Sequence, residues 1–212
     1  MKHTPLFITF EGIDGSGKST QIQRLAKRLE EFGIKPLVTR EPGGTHLGEK
    51  IRELLLSENM IPRAETLLFF AARAEHVETK IRPALESGTW VLSDRFTDAT
   101  YAYQVGGKGF SGAEVEALEA WTLGDLRPDG TVLFDLSPET AAARRAFRSG
   151  GDDRFERESV EFFSRVREAY LDRAKRHSER FLVVEAMRTE DDIECEIAAW
   201  VQKLVRRKGM KA

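Results

Sequence analysis

Eight consecutive residues, Gly12-Ile13-Asp14-Gly15-Ser16-Gly17-Lys18-Ser19, satisfy the pattern G-x-x-x-x-G-K-[ST]. They stand between an apolar run at 6–10 and a helical pattern opening near Lys18. A strand, a glycine-rich turn and a helix in that order form a phosphate cradle, which confines the chain to folds able to present such a turn at a sheet edge. The loop's backbone N–H groups, from Gly12 through Thr20, converge on an anion. The positive end of the following helix faces the same way. Lys18 is placed to reach the β- and γ-phosphates of a nucleotide, and the Ser19 hydroxyl to join the shell of a Mg²⁺ ion. Gly12 and Gly17 permit a backbone conformation and a closeness to phosphate that a Cβ would block.

At 212 residues the chain suffices for one well-buried α/β domain, and nothing in it calls for a second. Lys and Arg total 33 against 35 Asp and Glu, a formal charge of −2, so no global attraction draws it to nucleic acid or an anionic membrane. Any electropositive site must be local. There is no stretch of 18 apolar residues and no signal-peptide core after Met1, which predicts a cytoplasmic protein. The lone Cys195 has no partner for an internal disulfide. His3, His46, His76 and His177 lack metal-ligand spacing and are read as solvent-facing or as backing residues.

Five short runs rich in β-formers recur at 6–10, 36–39, 89–92, 131–134 and 181–184, with helical patterns between them. Alternation of this kind predicts a parallel sheet with helices on both faces. Each run ends in charge: Glu11, Arg40-Glu41, Asp94-Arg95, Asp135 and Glu185. Ligand crevices of open α/β sheets lie beyond the strands' carboxyl ends, so these charges should ring one site. Two helical stretches, at about 47–57 and 65–86, exceed what a minimal crossover needs, and another insertion spans 97–126. At about 144–157 a helix breaks into Gly150-Gly151 amid charges of both signs, which reads as a mobile lid.

A phosphate cradle specifies nucleotide, not reaction. The Asn-Lys-x-Asp guanine reader of GTP switches is missing, and the acidic pair of motor ATPases has no counterpart. Asp94-Arg95 at a strand end is more telling: a carboxylate for the Mg²⁺ water shell beside a guanidinium for a second phosphate, as in nucleotide and nucleoside kinases. A deoxynucleoside kinase using Glu41 or Glu11 as base, or a nucleotide-binding module without phosphotransfer, remain alternatives at this point.

Residues 10–20 (FEGIDGSGKST), Thr39-Arg40-Glu41-Pro42-Gly43-Gly44-Thr45, Leu68-Phe69-Phe70-Ala71-Ala72-Arg73, Asp94-Arg95-Phe96 and Ala102-Tyr103-Gln104 together resemble, in order and spacing, the signatures of bacterial thymidylate kinases. The resemblance implies a P-loop kinase with a five-stranded parallel sheet, helices on both faces and a mobile lid. It also implies a homodimer that passes the γ-phosphate of ATP to dTMP with Mg²⁺.

It further implies that Phe69 stacks on thymine, that Arg73 one turn later reaches its carbonyl edge, and that Thr100 and Gln104 hydrogen-bond the base. Tyr103 would lie near C2′ and disfavour a ribose. Asp14 would accept from the 3′-hydroxyl. Arg40, Arg52 and Arg95 would hold the dTMP phosphate, and Ser19 and Asp94 the metal. Where some relatives carry a basic residue, this chain has Gly15, so the missing charge is expected from the lid. Arg148 is the first choice, Arg145 or Arg154 the others, and Arg144 is expected to stack on adenine. Lys18, Arg95 and Arg148 are therefore the expected catalytic set.

Overall fold

The computed structural model describes residues 4–146, 154–155 and 158–209. Five strands, β1 (Phe7–Glu11), β2 (Leu37–Arg40), β3 (Val91–Asp94), β4 (Gly130–Asp135) and β5 (Phe181–Glu185), form one all-parallel sheet in the order β2-β3-β1-β4-β5. Each strand matches an expected run to within a residue or two. β1, in the centre, is buried at all five positions, as a strand covered on both faces must be. The edge strand β2 alternates between half-buried and exposed.

Helix α1 (Lys18–Glu31) follows the phosphate loop and stops where Gly33 takes φ 76° and donates to the Glu30 carbonyl, a left-handed glycine of the kind that ends helices. α2 (His46–Ser57) is capped by the Thr45 hydroxyl, which accepts from Gly48 N–H at 2.9 Å. α3 (Pro62–His76) begins on a proline and passes through a π-helical stretch, Val77–Ile81, into α4 (Arg82–Glu86). Pro83 lacks an N–H and its ring crowds the carbonyl four residues back, so a widened turn just before it is the physical expectation that helical periodicity misses. The second insertion comprises α5 (Thr97–Thr100), a π-helical stretch (Tyr101–Gly107) and α6 (Gly112–Leu123). α7 (Pro138–Ala146), α8 (Val160–Arg176) and α9 (Glu190–Gly209) complete the chain.

The main core joins β1 and β4 to α1, α8 and α9 through residues such as Phe10, Ile22, Val132, Val166 and Ile197. A second cluster, including Phe7, Val77, Val91 and Leu123, fills the space under the π-helical stretch after α3. Adjacent strands end level, with Phe10 beside Asp94 and Asp94 beside Arg40. β1 leads to neighbours on opposite sides, and its carboxyl end is where the order of winding reverses and where the charged strand ends converge.

Candidate active site

The glycine loop leaves β1 through Gly12, whose φ of 133° and a phantom Cβ only 2.7 Å from the Phe134 carbonyl exclude any larger residue. Lys18 is buried and donates to the Gly12 and Ile13 carbonyls at 2.9 and 3.2 Å, with Asp14 3.8 Å away. Burial, then the Arg95 guanidinium, draws its pKa down, while Asp14, Asp94 and Glu11 pull it back up. The Ser19 hydroxyl donates to Asp94 Oδ2 at 3.3 Å. The other Asp94 oxygen and the Ser16 hydroxyl are buried without a protein partner among the described residues. Buried oxygens left unsatisfied beside a phosphate cradle suit a hard divalent cation, so the donor chemistry of Ser19 and Asp94 fits Mg²⁺.

Next to the loop opens a pocket of about 210 Å³, lined by Asp14, Arg52, Phe69, Arg73, Arg95, Thr100, Tyr103 and Gln104, together with Glu41, Pro42, Leu56, Phe96, Ala99 and Phe155. Eight of the nine residues expected at the acceptor site therefore meet in one cavity. Arg95 ties it to the loop. Its Nη2 donates to both Asp14 oxygens at 3.0 and 2.9 Å and to the Tyr103 hydroxyl at 3.1 Å, and its Nη1 donates to the Tyr170 hydroxyl at 3.3 Å. Arg95 takes φ 69°, a left-handed conformation rare for a side-chain-bearing residue and of the kind that persists where surrounding contacts over-determine it. Burial works to raise the Asp14 pKa, but Arg95 and then Lys18 outweigh it and hold the carboxylate well below its ordinary range.

Arg73 is buried and heavily constrained. Its Nε donates to Glu41 Oε2 at 2.7 Å and its Nη2 to the Phe96 carbonyl at 3.1 Å and the Thr100 hydroxyl at 2.9 Å. Nη1 is buried without a partner among the described residues, a donor free for a ligand acceptor. Behind it, Glu41 Oε1 lies 3.0 Å from His76 Nδ1, whose Nε2 meets the Thr39 hydroxyl at 2.7 Å. The ring of Phe69 lies 6.0 Å from that of Phe155, forming an aromatic wall. Deeper, Glu11 accepts from Phe96 N–H at 2.7 Å and the Tyr170 hydroxyl at 2.8 Å. Burial, then the charge of Asp98, pushes its pKa up to about 8.

A family profile described as Thymidylate kinase matches residues 10–197 of this sequence. The chain belongs to the thymidylate kinase family. A thymidylate kinase of Ralstonia nicotianae is 55% identical over 194 residues, covering 90% of this chain and 94% of that protein. One of Methylobacillus flagellatus is 53% identical over 191 residues, with 90% and 94% covered. Among solved structures, the crystal structure of thymidylate kinase from Ehrlichia chaffeensis superimposes with a TM-score of 0.76 at 34% identity, covering 93% of this chain and 98% of that one.

Not every residue expected from the thymidylate kinase resemblance lies in the pocket. Arg40 sits apart, in a separate groove with Ser19 and Asp94, its half-exposed guanidinium paired with Glu49 at 2.9 Å. Arg52 lines the pocket and donates to the Pro42 carbonyl at 3.0 Å. Thr100 and Gln104 both face the cavity, yet Gln104 lies on the π-helical stretch rather than on a continuous α-helix. Arg144 donates to the Gly15 and Ala186 carbonyls at 3.3 and 3.1 Å, bridging the phosphate loop and the turn after β5. Arg145 donates to the Asp14 carbonyl at 3.1 Å, with its guanidinium 4.9 Å from the Phe163 ring centre. Arg154 lies elsewhere: it donates to Glu65 and to the Leu55 carbonyl, and its guanidinium covers Phe155, which lines the pocket. Arg148, like most of the expected lid, lies outside the described residues.

Sequence reasoning passed over Glu65, Tyr170 and Phe155, and treated Glu41 only as a charged strand end or the base of an alternative kinase. For Glu65 a signal existed: a carboxylate in a helical run facing the same side as Phe69. Tyr170 and Phe155 carry none, since an aromatic at helical spacing or in a charged turn is ordinarily core. His76 is fully buried and is one of the backing residues.

Proposed function

We infer that the chain transfers the γ-phosphate of ATP to dTMP, giving dTDP and ADP for dTTP synthesis. The observation carrying this reading is the contact between Asp14 of the glycine loop and Arg95 of the pocket, which joins a donor-phosphate cradle to a base-sized cavity through a phosphate-binding cation.

In this reading Phe69 flanks the thymine ring, Arg73 Nη1 and Gln104 face its polar edge, and Tyr103 crowds C2′. Thr100 holds the Arg73 fork in place. Asp14 exchanges part of its grip on Arg95 for the 3′-hydroxyl, and Arg95 with Arg52 receives the acceptor phosphate. Arg40, held by Glu49, is available for the outer rim. The acceptor already carries ionised oxygens, so no strong base is required, and catalysis is positioning and charge neutralisation. Ser19 and Asp94 would hold Mg²⁺, which when bound draws negative charge from the β- and γ-phosphate oxygens. Lys18, Arg95 and a lid arginine, Arg148 first, offset charge on the phosphoryl group in flight. Arg144 would lie against adenine.

The same reading treats residues 1–212 as one kinase domain, cytoplasmic and homodimeric. No helix among the described residues is long and apolar enough to cross a membrane. Exposed Leu54 on α2, Leu67 on α3 and Trp121 on α6 crown neighbouring helices, a candidate face for a second copy.

The kinase reading is tested by coupled detection of ADP release with dTMP or thymidine as acceptor. Turnover confined to dTMP supports it. Turnover of thymidine in its place would select a nucleoside kinase, and binding of both nucleotides without dTDP a silent module.

A further inference from the structure

Glu65 lies in the first turn of α3 and is completely buried, where a carboxylate is costly unless every lone pair is used. Its Oε1 accepts from Gln104 Nε2 at 2.9 Å and from Lys108 Nζ at 2.6 Å. Its Oε2 accepts from Lys108 at 2.8 Å and from Arg154. A carboxylate only accepts, so the Gln104 carboxamide has one orientation open to it: the amino end towards Glu65, which leaves the carbonyl oxygen as the group that Gln104 offers the pocket it lines. The buried Nη1 of Arg73, which lines the same cavity, is a donor without a partner among the described residues.

We propose that Glu65 is a positioning residue that sets the polarity of Gln104 and thereby makes the pocket select an imino pyrimidine of the thymine type over an amino pyrimidine of the cytosine type. The inference rests on the dTMP-kinase reading and extends it. Thymine offers a ring N–H to the Gln104 oxygen and a carbonyl to Arg73. Cytosine offers a bare ring nitrogen to that oxygen and an amino group to that guanidinium, so donors face donors and acceptors face acceptors. Unpaired polar groups of this kind are what give a hydrogen-bonding site its largest discrimination, on the order of 10⁴-fold. Lys108 and Arg154 have a second role in this arrangement. In Glu65→Gln both cations compete for the single remaining oxygen at position 65, which turns its amino group towards Gln104. Gln104 then reverses and presents its own amino end to the base.

The test measures kcat/KM for dTMP and for dCMP with Mg²⁺ and ATP in excess, for the wild type, E65Q, E65Q/K108M, Q104M and E65Q/Q104M, with circular dichroism to verify folding. The expected result is a wild-type preference for dTMP that falls about tenfold or more in E65Q and in the charge-relieved E65Q/K108M. In the Q104M background, E65Q should lower that preference no further, because the effect runs through Gln104. A merely structural role lowers turnover of both nucleotides alike. A folded E65Q with the wild-type ratio therefore overturns the proposal, as does a further tenfold fall in E65Q/Q104M.

A crystal structure of the wild type with dTMP gives a readout independent of variant folding. Gln104 Nε2 should remain on Glu65 with Oε1 towards the ring N–H, and a Gln104 turned away from Glu65 overturns the assignment. A wild type that phosphorylates neither nucleotide would instead sink the underlying kinase reading. Equal efficiency with both would overturn only the role given to Glu65.

Discussion

Asp14 and Arg95 meet through one guanidinium nitrogen set between both carboxylate oxygens, at 3.0 and 2.9 Å, and this pair joins the glycine loop to the acceptor pocket. A carboxylate inside a phosphate-binding loop repels the ligands the loop is built for, unless it has a cation of its own. Arg95 supplies that cation, and strand β3 delivers it level with the end of β1. For Asp14→Asn we expect kcat/KM for dTMP to fall by about 10- to 100-fold, the scale of a lost charge-assisted contact. The KM for ATP should change far less. Steady-state kinetics with each substrate varied separately decides it, and equal changes in both constants would count against a role at the acceptor side.

Lys18→Ala and Arg95→Ala are expected to lower kcat by about 10²-fold or more while the fold persists. Both side chains lie where phosphoryl charge would develop, and neither is part of the apolar core. Single-turnover measurements alongside circular dichroism distinguish lost chemistry from lost structure. A near-normal rate in either variant would remove that residue from the mechanism.

Glu11 gives a stability prediction with a definite sign. Burial and Asp98 raise its folded-state pKa from an ordinary 4.5 to about 8, so between those values the folded protein holds a proton that the unfolded chain has released. Stability attributable to this group therefore declines as pH rises through that window. Glu11→Gln removes the titration; its carboxamide oxygen still accepts from Phe96 N–H, and its amino group can donate to the Tyr170 hydroxyl in place of accepting from it. Thermal unfolding followed from about pH 5 to pH 8 should show a smaller loss of Tm in the variant than in the wild type. Parallel curves would show that Glu11 does not titrate in this range.

The fold was largely legible because its signals are local: an apolar run ending in charge makes a strand, and a glycine motif between run and helix makes a phosphate loop. Phe69 and Arg73 could be paired at one helical turn because α3 is regular there. What stayed hidden depends on contacts between distant segments. Nothing near Glu65 in the chain announces Gln104, Lys108 and Arg154, which lie 39, 43 and 89 positions away. The His76–Glu41–Arg73 chain is similarly assembled from two elements. Arg40 lies outside the pocket for the opposite reason. Its position at a strand end was visible, but the alternation that turns Glu41 into the cavity and Arg40 towards Glu49 depends on which face of the edge strand is covered.

Gly15 leads to a prediction about the source of catalytic charge. Its φ is 89°, and an added Cβ would lie 3.0 Å from the Ala141 carbonyl on α7. A basic residue installed there meets both backbone strain and a wall. Arg148→Ala should therefore lower kcat by about 10-fold or more, and Gly15→Arg should fail to restore it. Recovery of the rate in the double variant would show that the loop can accommodate the charge after all.

Leu67 tests the proposed homodimer. It is 52% exposed on α3, a helix that packs against α2, where Leu54 is 47% exposed, and against α6, where Trp121 is 86% exposed. Three large apolar side chains on adjoining helices are a poor surface for a lone chain in water, and self-association about a two-fold axis covers them in both copies at once. Leu67→Glu places two like charges across such an axis without touching the phosphate loop or the core. Sedimentation equilibrium at micromolar concentration should give twice the chain mass for the wild type and a single chain mass for the variant, with unchanged circular dichroism. A wild type that sediments as one chain, or a variant that stays dimeric, would move the interface elsewhere or abolish it.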